Sequence, residues 1–165
     1  MIRLGTLGDG NRTSDALRFT ILLTLVVPAV ASAQGREADR LAAAKSVSCV
    51  FSTMAVGTWN SGAATAEVKP AKMTVGFDQI DTDDGTARVV GAFGPSDIIV
   101  KLSAGTLHFV QAFREGPLYT TTIFSHESRG GKLKAVHTRH EYTEVSLPGF
   151  TSRPEQYYGE CEIVK

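Results

Sequence analysis

The stretch DIIVKLSAGTLHFVQAF, residues 97–113, predicts the fold of this chain most directly. Two runs rich in Val, Ile, Leu and Phe, Asp97–Leu102 and Thr106–Phe113, are separated by the short break Ser103-Ala104-Gly105. Branched and aromatic side chains favour strands, and a short break containing glycine between two such runs is typical of a β-hairpin. We therefore expect two antiparallel strands here.

Runs of strand-favouring residues separated by turn residues continue on both sides of this hairpin. Further strands are predicted at Cys49–Gly57, Lys72–Asp81, Thr86–Phe93, Leu118–Ser125, Leu133–Val145 and Tyr157–Val164. Asp83-Asp84-Gly85 predicts a tight type I′ hairpin, and further hairpins are predicted at Glu115-Gly116-Pro117 and from Ser128 to Gly131. Short strands joined by such turns predict one all-β domain over residues 49–165. We expect an antiparallel up-and-down barrel or a sandwich of about eight strands.

The N-terminal region has the pattern of an export signal. Three arginines precede the uncharged run Phe19–Ala31, and Ala31-Ser32-Ala33 has the small-x-small form of a signal peptidase site. A membrane anchor needs about 20 apolar residues, and this run is shorter and contains Pro28. Residues 1–33 are therefore predicted to be a cleaved signal peptide, which places the mature protein in the periplasm or outside the cell. No integral membrane segment is expected after cleavage.

A short segment lies between this leader and the first predicted strand. Arg36–Val47 is rich in Ala, Leu, Glu, Arg and Lys, which favour helices. Leu41, Ala44 and Val47 recur at helical spacing. Residues 34–48 are therefore predicted to form an N-terminal helix, with a linker as the alternative.

The charge balance of the mature chain excludes some classes of partner. The chain has 17 basic and 17 acidic residues, and without the leader 14 basic residues face 15 acidic ones. Nucleic-acid-binding proteins and polybasic membrane-surface proteins carry a clear basic excess. Neither nucleic acid nor a membrane surface is an expected partner.

Two cysteines, Cys49 and Cys161, lie in the first and last predicted strands. Outside the cytoplasm thiols tend to oxidise, and two cysteines permit a single intramolecular pairing. We expect a disulfide that joins the two ends of the domain. A redox-active pair is disfavoured because the chain has no C-x-x-C spacing.

The sequence HTRHE, residues 137–141, first suggests a metal site. Side chains alternate along a strand, so His137 and His140 are expected on opposite faces. Arg139 and Glu141 share the face of His137, and the neighbouring strand adds the His126-Glu127 pair. A metal site stays open on this pattern, and a solvated polar face of a half-buried sheet is the simpler interpretation.

Two further patterns point away from known chemistries. Four aspartates between residues 78 and 84 suggest calcium, but an EF-hand counted from Asp81 would place Thr86 and Ala92 where Gly and Glu are required. Gly94-Pro95-Ser96-Asp97-Ile98 begins like a serine-hydrolase nucleophile elbow and lacks its second glycine. A charged hairpin and an ordinary turn explain these segments.

Two groups of known proteins resemble parts of this chain. Gly57-Thr58-Trp59 resembles the G-x-W signature of lipocalins, which implies a barrel whose Trp packs across the closed end and whose cup holds a small apolar ligand. The alternative is that Trp59 is buried in the core. The phrases LHF, TTIF, KAVHTRH and QYYGEC within residues 107–161 resemble a group of small bacterial exported all-β proteins with no assigned activity. This second resemblance implies an exported β domain whose last strand carries a paired cysteine.

Taken together, these patterns predict an exported β-barrel binding module of the lipocalin-like kind. The expected partner is a small apolar molecule or an envelope or host protein, and no cofactor, metal or catalytic residue is predicted. The candidate ligand-binding residues are Trp59, His108, His137, Arg139 and His140. The alternative is a hydrolase or metal-dependent enzyme that uses the His and Glu residues between 126 and 141, with His108.

Overall fold

The structure, a computed structural model, describes residues 30–91, 94–114, 116–142 and 152–164, with side chains described from residue 35 onward. The described residues form helix α1 and strands β1 to β8. Their bounds are α1 Val30–Ala42, β1 Val47–Asn60, β2 Ala63–Asp81, β3 Thr86–Gly91, β4 Gly94–Ser103, β5 Thr106–Ala112, β6 Leu118–Glu127, β7 Leu133–His140 and β8 Glu155–Ile163. The predicted signal peptide lies outside the described residues except for its last four.

The strands form one closed antiparallel barrel in chain order. Each strand pairs with its successor, and β8 pairs with β1 to complete the ring. The predicted all-β fold of about eight strands with a short N-terminal helix is confirmed, and the barrel is realised rather than the sandwich. Alternation sets which side chains face inward: on β5, Leu107 and Phe109 are buried while His108 between them faces out.

The disulfide lies where the ring closes. Cys49 on β1 and Cys161 on β8 are direct partners in the register, with their Cα atoms 4.0 Å apart. Both side chains are buried within the barrel. The predicted bond therefore fastens the first strand to the last, 112 positions along the chain.

Helix α1 covers one end of the barrel. Leu41 on the helix and Ala44 just after it are buried in the core. Ala38 packs closely against Gly105 in the β4–β5 turn: a β-carbon added to Gly105 would lie 2.9 Å from the Ala38 β-carbon. The segment after the helix is tied to β2, because the Ile80 N–H donates to the carbonyl of Lys45. The helix and the segment after it therefore pack over this end of the barrel, beside the β4–β5 turn and β2.

Three predicted details differ from the structure. β2 begins at Ala63 rather than Lys72, because residues 63–70 are exposed and pair with β1 without the apolar alternation that marks a half-buried strand. The turn after β2 is not type I′, since only Gly85 in it has a positive φ. Instead the Asp81 carboxylate accepts the N–H groups of Asp83 and Asp84 at 3.0 Å each. These bonds lower the pKa of Asp81. β7 ends at His140 rather than Val145, since Glu141 and Tyr142 after it are not in a strand. The rest of that predicted strand lies outside the described residues, as do Phe93 and Glu115.

Candidate ligand-binding cavity

A cavity of about 560 Å³ lies inside the barrel at the end opposite α1. It reaches the β3–β4 and β5–β6 ends, where Gly91, Gly94, Ala112 and Phe113 line it. Its inner wall is apolar. The main contributors are Val75, Phe77, Val89, Ile98 and Phe109. Cavities of 300–1,000 Å³ with such walls typically hold one small organic molecule.

The floor of this cavity is rigidly built. The rings of Phe77 on β2 and Phe109 on β5 stack with centroids 3.9 Å apart and planes 8° from parallel. Both side chains are buried among the core residues. Stacked aromatic side chains in a close-packed core offer a fixed apolar surface to a ligand.

One side of the cavity is polar, and β6 and β7 supply it. Tyr119 and Thr121 on β6 and His137 and Arg139 on β7 all line the cavity. They are inward-facing positions of two paired strands, since Thr121 opposes His137 and Tyr119 opposes Arg139 in the register. The polar residues are therefore concentrated in one patch, which we call the polar wall.

Arg139 is the cation of the polar wall. Its guanidinium carbon lies 5.1 Å from the ring centroid of Tyr119 and 5.3 Å from that of Tyr157, an arrangement that stabilises a cation. Its Nη1 is 3.8 Å from Oε2 of Glu155 on β8, too long for a hydrogen bond. Its Nη2 donates to the thioether of Met73 at 3.5 Å. Its Nε is buried and has no hydrogen-bond partner among the described residues.

His137 is a buried polar group of the wall, with 7% of its surface exposed. Its Nδ1 shares a 2.8 Å hydrogen bond with Oγ1 of Thr121, and the rings of Phe51, Tyr119 and Tyr157 lie about it at 5.8–5.9 Å. Burial, together with the nearby Arg139 charge, lowers its pKa to about 3. The imidazole is therefore neutral at physiological pH.

The two tyrosines that contact Arg139, Tyr119 of the polar wall and Tyr157 on β8, each donate to a carboxylate. The Tyr119 hydroxyl donates to Oε2 of Glu141 at 2.8 Å, and the Tyr157 hydroxyl donates to Oε2 of Glu155 at 2.5 Å. Burial and these hydrogen bonds raise the pKa of Tyr119 well above its usual range and that of Tyr157 to about 12. Both hydroxyls therefore keep their protons and hold the two carboxylates in place.

The predicted site residues separate into two groups. His137 and Arg139 line the cavity, and Glu141, predicted to share their face, is buried beside Tyr119. His108 lies on the outer face of β5, where its Nδ1 pairs with Oγ1 of Thr122 at 3.1 Å. His140 is exposed at the end of β7, on the face opposite His137 as predicted. His108 and His140 therefore do not line the cavity, and the structure does not bring them together with His137 and Arg139.

Trp59 is neither a barrel-end plug nor a core residue. It lies near the tip of the β1–β2 hairpin, beyond the barrel, and 53% of its surface is exposed. Its ring packs edge-on against Tyr142 with centroids 5.4 Å apart. β1 is longer than predicted, which carries Trp59 away from the core and from the cavity.

The other candidate chemistries do not assemble at one place. His126 lies near the α1 end of β6, far along the strand from the polar wall. Within the described ranges, no group of three or more His, Cys, Asp or Glu side chains is placed to hold a metal ion. Ser96 lies on β4 with its hydroxyl accepting from Gln111, so the elbow-like segment is part of a strand.

Several residues of the polar wall and of its immediate surroundings were not predicted from the sequence. They are Met73, Tyr119, Thr121, Glu155 and Tyr157. The available signal was alternation: Tyr119 and Thr121 share the inward parity of Ile123, and Glu155 shares that of Tyr157 and Cys161. The sequence does not show the register in which β6, β7 and β8 pair, and this register is what brings these side chains together.

No protein-family model, curated protein or solved structure matches the chain. Among the helical residues that the structure describes, none forms a helix long and apolar enough to cross a membrane. The geometry of the barrel is therefore the basis for inferring a function.

Proposed function

We propose that this protein is an exported binding protein that encloses one small, largely apolar molecule in its barrel. The observation that carries the proposal is the cavity of about 560 Å³ with its apolar inner wall. Burying apolar ligand surface there gains roughly 25 cal/mol per Å² before the costs of association. The polar wall on β6 and β7 would orient the ligand by a few directed contacts. In such cavities the apolar lining typically buries the ligand and a few polar groups fix its orientation.

Export supports this proposal and is part of it. The leader pattern of residues 1–33 predicts secretion, and the Cys49–Cys161 disulfide suits an oxidising compartment. Outside the cytoplasm, a binding protein would carry or sequester its ligand without any chemical step. The mature charge balance is compatible with an uncharged or weakly charged ligand.

A filled-cavity variant tests the proposal. Val89 on β3 lines the cavity, and its neighbour Val90 faces outward with 43% of its surface exposed. We expect the neutral fluorophore N-phenyl-1-naphthylamine to bind wild type at one site, and Val89→Trp to weaken binding at least tenfold. Val90→Trp adds the same side chain outside and should bind like wild type.

Thermal unfolding of both variants accompanies the titration and verifies that each is folded. Equal binding by Val89→Trp and wild type, or no saturable binding of the fluorophore to wild type, would contradict the proposal.

A further inference from the structure

The guanidinium of Arg139 is short of acceptors at one edge. A guanidinium carries five N–H donors and no acceptor. In the described part of the chain, the acceptor within hydrogen-bond distance of Arg139 is the Met73 thioether on Nη2, and Nε has none. A thioether is a weak acceptor. The edge formed by Nε and Nη2 therefore lacks an oxygen acceptor.

The two side chains that meet at this edge, Arg139 and Met73, both line the cavity. The Arg139 side chain is 24% exposed, and its Nε is itself buried. The guanidinium carbon lies over the rings of both Tyr119 and Tyr157, and these contacts restrict where the guanidinium can move. Met73 is a flexible side chain that can leave this edge at small cost. The neighbouring donors are thus preset for a planar ligand group that takes the place of the Met73 sulfur.

The geometry points to a carboxylate as the head group of the ligand, bound by the Nε and Nη2 edge of Arg139 while an apolar tail fills the cavity. This inference rests on the proposed binding function. A carboxylate matches the two parallel donors of a guanidinium edge. Two carboxylates already lie beside the polar wall: Glu155, 3.8 Å from Nη1 of Arg139, and Glu141, which accepts from the Tyr119 hydroxyl. A head group with a single negative charge therefore suits the site better than a doubly charged phosphate.

A series of ligands with one tail and four head groups tests the assignment. Decanoate, decanol, decylamine and decyl phosphate are each titrated at pH 7.5 against bound N-phenyl-1-naphthylamine. We expect decanoate to displace the fluorophore at a concentration at least tenfold lower than decanol does. It should also act at a lower concentration than decylamine or decyl phosphate. Equal potency of decanoate and decanol, or tighter binding of decylamine or decyl phosphate, would overturn the carboxylate assignment and leave the binding function intact.

Variants then locate the preference. In Arg139→Gln the ratio of decanol to decanoate displacement concentrations should fall to near one, and Arg139→Lys, which keeps the charge without the planar fork, should give an intermediate ratio. Arg88→Gln removes an arginine from the outer face of β3 and should keep the wild-type ratio. A ratio unchanged by Arg139→Gln would overturn the role of Arg139. If neither the fluorophore nor any of the four ligands binds wild type, the proposed function itself fails.

Discussion

His137 shows how burial, helped by a neighbouring positive charge, fixes the protonation state of one residue. Its imidazole is enclosed by three aromatic rings and bonded to Thr121. A buried imidazolium without a carboxylate partner would be costly, which is why its pKa falls to about 3. A neutral His137 accepts or donates one hydrogen bond and adds no charge to the cavity.

This pKa makes the stability of the fold depend on pH. In the unfolded chain His137 would titrate near 6.5, so between that pH and about 3 the unfolded state binds a proton that the folded state does not. The free energy of unfolding should therefore fall as the pH is lowered through this window. Between pH 6.5 and about 4.5 the loss attributable to His137 is roughly 2 to 3 kcal/mol.

Urea unfolding at several pH values measures the effect. His137→Gln should lose clearly less stability than wild type over this range, while His140→Gln, at an exposed position, should follow wild type. An identical pH dependence in His137→Gln and wild type would show that His137 titrates normally in the folded protein.

Single residues were predicted from the sequence with mixed success, and the reason is geometric. His137 and Arg139 lie on one face, as predicted, because strand parity determines faces within one strand. That face was expected to be solvated, but it faces the interior of the barrel, where His137 is buried. Trp59 was expected in the barrel and lies beyond it. Its environment depends on how far β1 extends past the barrel, and the alternation of side chains along a strand does not reveal that length. Tyr119 and Tyr157 were missed because their role depends on Arg139 lying over both rings.

Among the elements, the close approach of β1 and β8 depends on a missing side chain. The register of β1 shifts between Phe51 and Thr53. A β-carbon on Gly159 would overlap the carbonyl oxygen of Val50 and lie 2.6 Å from the Cα of Phe51. Only glycine lets the bulged strand approach β8 this closely.

Gly159→Ala should therefore lower the free energy of unfolding by about 3 kcal/mol, because backbone atoms must move to make room. Gly91→Ala is the matched control. It lies on β3 with open space around the added methyl group, so its effect should stay within about 0.5 kcal/mol. Chemical denaturation compares the three proteins. A Gly159→Ala protein as stable as Gly91→Ala would mean that β1 and β8 do not meet as described.

The elements themselves were predictable where apolar residues alternate. β4 and β5 were located within a few residues because Ile98, Val100, Leu107 and Phe109 mark their inner faces. The first part of β2 was not predicted, because the side chains of residues 63–70 are all exposed and these residues are held in a strand by pairing with β1. A strand stabilised only by its partner leaves no periodic pattern in its own sequence.

In the molecule as a whole, closure of the ring is reinforced by a covalent bond. The β1–β8 pairing joins the beginning of the domain to its end, from Val47 with Ile163 to Val56 with Glu155, and the disulfide within it spans 112 positions. A cross-link over so long a loop removes much of the entropy of the unfolded chain. The disulfide should therefore be a large contributor to stability.

Replacing both Cys49 and Cys161 by Ala should lower the free energy of unfolding by about 2 to 5 kcal/mol. The double variant should also be insensitive to dithiothreitol during denaturation, whereas wild type should lose a comparable amount of stability in reductant. If wild type unfolds at the same denaturant concentration with and without reductant, the bond does not stabilise the barrel.

The choice between barrel and sandwich could not be made from the sequence. Both architectures use the same short strands and turns, and they differ in whether the first strand pairs with the last. Cys49 and Cys161 indicated that the two strands meet, but a disulfide can also bridge two sheets of a sandwich. The direct opposition of the two cysteines in neighbouring strands distinguishes the closed ring.

The proposed function requires that a ligand bind inside this ring. ¹³C-methyl spectra of protein titrated with N-phenyl-1-naphthylamine locate the ligand, since paired residues report the two faces of one strand. We expect large shifts for the methyl groups of Val89 and Ile98, which line the cavity, and small ones for their outward neighbours Val90 and Ile99. Shifts confined to Val90, Ile99 or the exposed Val68 would place the ligand on the outer surface and refute binding within the barrel.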